Sequence, residues 1–179
     1  MKRKLFISIN IPERDRKRLI KATEHWSALP VKWVREQNLH ITLFFIGYVD
    51  TESIPDICQK VRDAAENQEI FDMEFSKIEL HPADDPRMIW VVGEASEELR
   101  KLYEEIEKEL GIFTHSKKSF RPHITLGRIR KRKWQDLEDK PLINENYSLL
   151  ITAETVDIMA SDFGDGGQEY TLIESCPLK

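Results

Sequence analysis

Two copies of one tetrapeptide are the residues of this sequence best suited to chemistry. His-Ile-Thr-Leu occupies residues 40–43 and again residues 123–126, and 83 residues separate the copies in a chain of 179. Alternate side chains of a β-strand point to the same face. Each strand would therefore present its histidine and threonine together and pack its isoleucine and leucine on the other face. Two such strands facing each other would line a cleft with two imidazoles and two hydroxyls.

The chemistry that such a cleft supports is proton transfer at a phosphate group. Near neutral pH one imidazole can accept a proton while the other donates one. The hydroxyls of Thr42 and Thr125 can donate hydrogen bonds to the nonbridging oxygens of a tetrahedral anion. One of His40 and His123 would activate water, and the other would protonate the departing alkoxide. Because the two motifs are nearly identical, the sequence leaves open which histidine is the acid.

A metal centre is the alternative interpretation of the paired histidines. Metal-binding motifs such as His-Glu-x-x-His bring a second histidine or a carboxylate at ligand spacing. Neither copy of the tetrapeptide does so, and threonine is a poor substitute ligand. We therefore expect metal-free chemistry at phosphorus, with no metal and no other cofactor.

Basic residues are concentrated around the second copy. Eight of the 27 Lys and Arg residues, and none of the 32 Asp and Glu residues, lie in residues 117–133. The chain as a whole has a formal net charge of −5. A cationic segment on an acidic body attracts an anionic ligand, which agrees with a phosphate-containing substrate.

Composition indicates a globular cytoplasmic protein. Apolar residues make up 40% of the chain and charged residues 33%, and every apolar run is shorter than the roughly 18 residues that a membrane span needs. The basic N-terminal residues are not followed by the pattern of a signal peptide. Cys58 and Cys176 form no CxxC motif, which suits a reducing compartment. We expect one domain over residues 1–179, present as a monomer.

Strands that alternate with short helices predict an α+β fold of mainly antiparallel sheet. Strand patterns occupy residues 4–11, 31–34, 39–46, 71–80, 88–92, 122–129, 147–159 and 169–174. Helical spacing occupies residues 13–29, 54–66 and 97–110. Residues 31–34 and 39–46 have the form of two strands joined by a four-residue turn. The long interval between the motifs predicts two pseudo-symmetric lobes with helices outside, one motif in each, around a central cleft.

These features resemble the 2H phosphoesterase superfamily, which is defined by two His-x-Thr-x motifs. Within it, the sequence is most similar to the bacterial and archaeal RNA 2′,3′-cyclic phosphodiesterases, also called 2′-5′ RNA ligases. The similarity covers essentially the whole chain in the expected order, at residues 5–12, 31–34, 38–47, 120–128 and 170–178.

The resemblance implies a bilobal α+β fold that hydrolyses a ribose 2′,3′-cyclic phosphate, at the end of an RNA or on a nucleotide, to a 2′-phosphate. By position, His40 would protonate the leaving 3′ oxygen and His123 would accept a proton from water. Thr42 and Thr125 would hold the phosphate oxygens. The resemblance also implies joining of RNA ends through a 2′-5′ bond in the reverse direction.

The family further suggests contacts five residues after each motif histidine, which are Phe45 for base stacking and Arg128 for phosphate. Strict alternation would turn both side chains away from the cleft, and would favour Phe44 over Phe45. A bulge at Gly127, where the family usually has alanine, could return Arg128 to the cleft. Arg130 is a further candidate contact for the RNA backbone.

Two other functions remain open. One is a noncatalytic module that binds RNA or a nucleotide in the same cleft. The other is a related 2H enzyme that acts on a small cyclic nucleotide such as ADP-ribose 1″,2″-cyclic phosphate. We expect no catalytic role for His25, His81 or His115, which lie in a helix, a turn and a loop of the predicted elements.

Overall fold

The chain forms nine β-strands and four α-helices within residues 1–112 and 120–179, the parts that the structure, a computed structural model, describes. The strands are β1 (Lys2–Asn10), β2 (Val31–Trp33), β3 (His40–Asp50), β4 (Phe71–His81), β5 (Met88–Gly93), β6 (His123–Ile129), β7 (Asn144–Ala153), β8 (Thr155–Gly164) and β9 (Gly167–Pro177). The helices are α1 (Glu13–Thr23), α2 (Ile54–Glu66), α3 (Glu97–Leu110) and α4 (Lys131–Gln135).

All strands belong to one antiparallel sheet in the order β7-β4-β5-β6-β3-β1-β8-β9, and β2 pairs separately with β6. The two motif strands, β3 and β6, are neighbours at the centre of this order. They divide this order of eight strands into two halves of four, each with one motif strand at its inner edge, and β2 adds a fifth strand to the half that contains β6. The predicted α+β fold with antiparallel sheet is confirmed.

One face of the sheet carries the core. Leu5, Ile7 and Ile9 of β1 are fully buried, and α2 packs against α3 and against β8 and β9. Helix α3 begins at the cap of Ser96, whose side-chain oxygen accepts a hydrogen bond from the Leu99 amide. The alternate residues of the same strands face the other way, and this second face is the one that bears the motif histidines. None of the described helices is long and apolar enough to cross a membrane.

The two strands predicted over residues 31–34 and 39–46 are present, but they do not pair with each other. Strand β2 pairs with β6 instead, with Val31 opposite Ile129 and Trp33 opposite Gly127. Both sides of β3 are already occupied, by β1 along most of its length and by β6 at the motif. Alternation identifies a strand but not the distant strand with which it pairs.

The single strand predicted over residues 147–159 is also wrong, because the chain forms two strands there. Only Glu154 separates β7 from β8. Strand β7 pairs with β4 in one half of the sheet, and β8 pairs with β1 in the other. The helix predicted over residues 13–29 is shorter as well, since α1 ends at Thr23 and is followed by a 3-10 turn.

Two β-bulges in matching positions interrupt the alternation of the motif strands. In β3, Leu43 is the extra residue between the pairs of Thr42 and Phe44 with β1. In β6, Leu126 is the extra residue between the pairs of Thr125 and Gly127 with β5. Each is the fourth residue of its motif. A bulge shifts every later residue to the opposite face, so alternation is broken after the motif in both strands. The bulge expected at Gly127 is present, with the adjacent Leu126 as its extra residue.

Gly127 pairs with Trp33 of β2, and we predict that Gly127→Ala destabilises the protein. An alanine Cβ would overlap Val31 Cγ1 and would lie 3.0 Å from Trp33 Cε3. Overpacking of this kind costs about 1–3 kcal/mol, which urea unfolding would measure as a lower free energy of unfolding. The matched control is Gly164→Ala, where the Cβ meets only the end of the flexible Glu169 side chain. Equal stability of the two variants would contradict the prediction.

Candidate active site

The two motifs meet at one residue pair. The motif isoleucines of β3 and β6 are paired in antiparallel register. Extending that register by one residue sets His40 opposite Thr125. Extending it by one residue in the opposite direction sets Thr42 opposite His123. Burial is the main cause that lowers the pKa of His40, and the charge of His123 lowers it further, as expected for imidazoles that share one site. The structure therefore brings all four motif side chains together.

The imidazole of His40 is held by hydrogen bonds at both nitrogens. Nδ1 lies 2.7 Å from the carbonyl oxygen of Asn38, and Nε2 lies 2.8 Å from the Oγ1 atom of Thr42. A carbonyl oxygen only accepts, so Nδ1 carries the proton. In the neutral ring, Nε2 then accepts a hydrogen bond from the Thr42 hydroxyl. The Thr42 hydroxyl therefore already contacts Nε2, the nitrogen that carries no proton in the neutral ring and that could exchange one with a substrate.

The imidazole of His123 is fixed in the same way. Its Nδ1 donates to the carbonyl oxygen of Arg121 at 3.0 Å. The Arg121 guanidinium in turn forms an ion pair with Glu79 at 2.9 Å, which anchors the residue that supplies the carbonyl. Within the described residues, no side chain hydrogen-bonds to Nε2 of His123. In both motifs the histidine therefore uses Nδ1 for support and presents a basic Nε2.

Aromatic rings from neighbouring strands enclose His40. The ring centroid of Phe6 lies 5.0 Å from that of the imidazole, and the ring of Tyr170 lies 5.1 Å away at an interplanar angle of 84°. These two rings also contact each other at 5.0 Å. Strands β1 and β9 therefore supply an apolar wall on one side of this histidine.

His123 is part of a stack of three rings. The indole of Trp90 lies 3.8 Å from the imidazole at an angle of 18°. The opposite face of the same indole is covered by His81 at 3.6 Å and 11°. This stack sets the plane of the His123 ring. It also shows that His81, expected to have no catalytic role, lies one ring away from the candidate site.

Burial favours the neutral form of both motif histidines. Loss of hydration lowers the pKa of His40, and the charges of His123 and Arg128 lower it further. Loss of hydration likewise lowers the pKa of His123, with added repulsion from His81 and Arg121. In each case the hydrogen bond to a main-chain carbonyl opposes the shift. A bound phosphate anion would favour protonation, because it places a negative charge beside both rings.

The bulges decide where the residues five positions after each histidine lie. Phe45 returns to the face of His40, and its ring is 6.3 Å from Phe6. Phe44 is instead buried, with its ring 5.6 Å from Tyr103. Arg128 returns to the same face of β6, close enough for its charge to lower the pKa of His40. The structure thus places Phe45 and Arg128 beside the motifs.

The other residues of the basic segment either follow β6 or precede it. Arg130 follows β6 and precedes α4, and its amide donates to the Pro30 carbonyl. Its side chain is exposed. Lys117, Lys118 and His115 lie outside the described residues. No three His, Cys, Asp or Glu side chains cluster as a metal site in residues 1–112 and 120–179.

Several residues of the site were not predicted from the sequence. Phe6 and Trp90 lie in apolar strand segments, where nothing distinguishes a ring on a cleft from a ring in a core. The carbonyls of Asn38 and Arg121 are main-chain atoms, which sequence does not reveal. Tyr170 was part of the similarity to the family but had no assigned role.

The chain matches the family model described as the 2′-5′ RNA ligase superfamily over residues 12–163. It belongs to this superfamily. A member named RNA 2′,3′-cyclic phosphodiesterase from Thermotoga maritima is 33% identical over 187 residues, covering 97% of this chain and 95% of that protein. Another protein of the same name, from Aeropyrum pernix, is 37% identical over 108 residues, or 58% of this chain and 60% of that one.

Solved structures of other proteins share the fold. TT0787 of Thermus thermophilus superposes with a TM-score of 0.82 at 25% identity, covering 98% of this chain and 97% of that one. Escherichia coli LigT complexed with 3′-AMP superposes with a TM-score of 0.81 at 22% identity, covering 100% of this chain and 99% of that one. The same fold as in these two structures therefore extends over nearly the whole chain.

We predict that His40 and His123 titrate below the ordinary histidine pKa of 6.5 in the folded protein. Their neutral forms then stabilise the fold above about pH 6.5, and this contribution is lost as the pH falls through the folded pKa values. Titration of the imidazole resonances by NMR measures the midpoints, with the urea-unfolded chain as the control. Midpoints that do not rise on unfolding would contradict the expected effect of burial.

Proposed function

We propose that this protein hydrolyses RNA 2′,3′-cyclic phosphate ends to 2′-phosphates by acid–base catalysis between His40 and His123, without a metal ion. The observation that carries the proposal is the single pairing of β3 with β6, which brings the two His–Thr pairs to one point. Membership of the superfamily and the relatives named RNA 2′,3′-cyclic phosphodiesterase support the substrate.

In the proposed reaction, water attacks phosphorus while Nε2 of His123 takes one of its protons. The bond between phosphorus and the 3′ oxygen breaks, and His40 donates its Nε2 proton to that oxygen. The product is a 2′-phosphate with a free 3′-hydroxyl. The open Nε2 of His123 supports its role as the base, since no described side chain competes for the proton of the attacking water.

The threonines and Arg128 would bind the nonbridging phosphate oxygens. The Thr42 hydroxyl contacts Nε2 of His40 before substrate arrives, so substrate binding would turn this hydroxyl toward a phosphate oxygen. Thr125 is its counterpart on β6. The guanidinium of Arg128 adds a charge-assisted hydrogen bond, which is stronger than a neutral one.

The bound phosphate would also prepare the acid. His40 must be protonated to donate, yet burial lowers its pKa in the free protein. The negative charge of the substrate opposes that shift and favours the imidazolium. Catalytic protonation would then be coupled to substrate binding, and kcat and kcat/KM should both show bell-shaped pH profiles.

Phe45 is the candidate side chain on which the terminal base would stack. It is exposed on the face of His40, and aromatic side chains that bind single-stranded RNA commonly stack on unpaired bases. Arg130 is a candidate contact for the RNA backbone beyond the phosphate site. If a 5′-hydroxyl took the place of the attacking water, the same groups would join two RNA ends through a 2′-5′ bond.

The decisive experiment incubates the purified protein, in EDTA, with a short RNA that ends in a 2′,3′-cyclic phosphate. We expect a 2′-phosphate, identified by its chromatographic difference from the 3′-phosphate standard. A 3′-phosphate would overturn the assigned leaving group. Absence of any product in EDTA, with product restored by a divalent metal, would overturn the metal-free mechanism.

The controls for that experiment are single histidine variants. His40→Ala and His123→Ala should each lower kcat by about 10²- to 10⁴-fold, the range for loss of a general acid or base. His25→Ala is the matched control, because His25 also lies against an indole, that of Trp26 at 4.0 Å. Full activity in either motif variant would rule out the assigned acid–base pair.

Arg128→Ala should lower kcat/KM by about 10- to 100-fold, the loss expected when a hydrogen bond to a charged group is removed. Arg132→Ala, which removes an exposed positive charge from the adjacent α4, is the matched control and should have little effect. Steady-state kinetics on the cyclic-phosphate RNA would measure both. Equal losses in the two variants would indicate a general effect of charge instead of a phosphate contact.

A further inference from the structure

Exposed apolar side chains continue beyond Phe45 on the same face of the sheet. Strand register places Phe45 opposite Phe6, and Tyr48 opposite Lys4. A second bulge in β3 accounts for this arrangement. Phe45 pairs with Phe6 and Gly47 pairs with Leu5, so Ile46 between them is the extra residue. Phe6 and Lys4 are two positions apart on β1 and share a face. Phe45 and Tyr48 therefore lie on one face, the face of His40.

Both rings lie open to solvent. Phe45 is 70% exposed and Tyr48 is 73% exposed, although β3 is a central strand of the sheet. Two further exposed side chains, Leu172 (52%) and Phe163 (86%), lie on the same face of β9 and β8. Large apolar side chains grouped on an exposed surface mark an interaction site. We call Phe45, Tyr48, Phe163 and Leu172 the apolar platform.

Charge favours an anionic chain beside Tyr48. The exposed Lys4 lies directly opposite this residue, so an ammonium group borders the ring. On the half of the sheet that carries the second motif, the corresponding face of β4 bears three carboxylates and one ammonium group, from Asp72, Glu74, Glu79 and Lys77. The excess of carboxylates there would repel a phosphate backbone. Compared with β4, the apolar platform is the more favourable path for the unpaired bases of an RNA strand, and Arg130 remains a candidate contact for its backbone.

We propose that Tyr48 stacks on an unpaired base upstream of the terminal nucleotide, so that the apolar platform binds single-stranded RNA rather than a mononucleotide. This inference rests on the proposed function. Tyr48 lies about 7 Å from Phe45 along the strand direction, roughly twice the 3.4 Å rise of one nucleotide in a stacked strand. Bases splayed onto separate rings, as single-stranded RNA is commonly bound, would reach both.

The test compares two substrates, 2′,3′-cyclic AMP and a tetra-adenylate that ends in a 2′,3′-cyclic phosphate. The wild-type protein should have the higher kcat/KM on the tetranucleotide. Tyr48→Ala should lower that value by about 5- to 150-fold, the loss expected for one stacked base. It should leave kcat/KM on 2′,3′-cyclic AMP within about twofold, because the mononucleotide has no upstream base. Tyr48→Phe, which keeps the ring, should retain the tetranucleotide activity.

Leu142→Ala is the matched control, since this apolar side chain is 89% exposed and lies outside the platform. Equal losses on both substrates, or no loss on either, in Tyr48→Ala would overturn the inference. Equal wild-type efficiency on the two substrates would also overturn it while leaving the proposed function intact. Failure of the wild-type protein to hydrolyse either substrate would instead overturn the proposed function.

Discussion

One antiparallel residue pair, Ile41 with Ile124, joins the two halves of the sheet, and the geometry of the site depends on it. Both side chains are fully buried, so the apolar core holds the junction. A slip of one residue would turn a histidine and its threonine into that core, because side chains alternate with a period of two. The hydrophobic register of two distant strands therefore fixes the relative position of the two imidazoles.

The two histidines are supported alike by the main chain and differently by side chains. Each donates Nδ1–H to the carbonyl of the residue two positions earlier. His40 then contacts a threonine hydroxyl and the rings of Phe6 and Tyr170, whereas His123 stacks flat on Trp90. Identical motifs thus acquire different surroundings. A division of acid and base roles between two imidazoles requires such a difference.

Local features of the fold were predictable from the sequence, and long-range ones were not. Helices α2 and α3 have the predicted bounds, because apolar spacing and end residues such as Ser96 and Gly111 act within a few residues. The partner of β2 and the change of partner at Glu154 depend on strands far away in sequence. Alternation predicted the His–Thr faces, but strict alternation would place Phe45 and Arg128 on the wrong face. Gly127 indicated the bulge beside it in β6, whereas no adjacent glycine marks the bulge at Leu43 in β3.

The passage of the chain from β7 to β8 through Glu154 has a consequence for biogenesis. The half of the sheet that carries His40 is built from β1, β3, β8 and β9, while the half that carries His123 is built from strands between them in the sequence. The first half is therefore not a continuous segment. A nascent chain that has just released β3 from the ribosome lacks the β8 strand that flanks β1 and the Tyr170 ring that encloses His40. The first motif is synthesised early and becomes a site only when the last strands arrive.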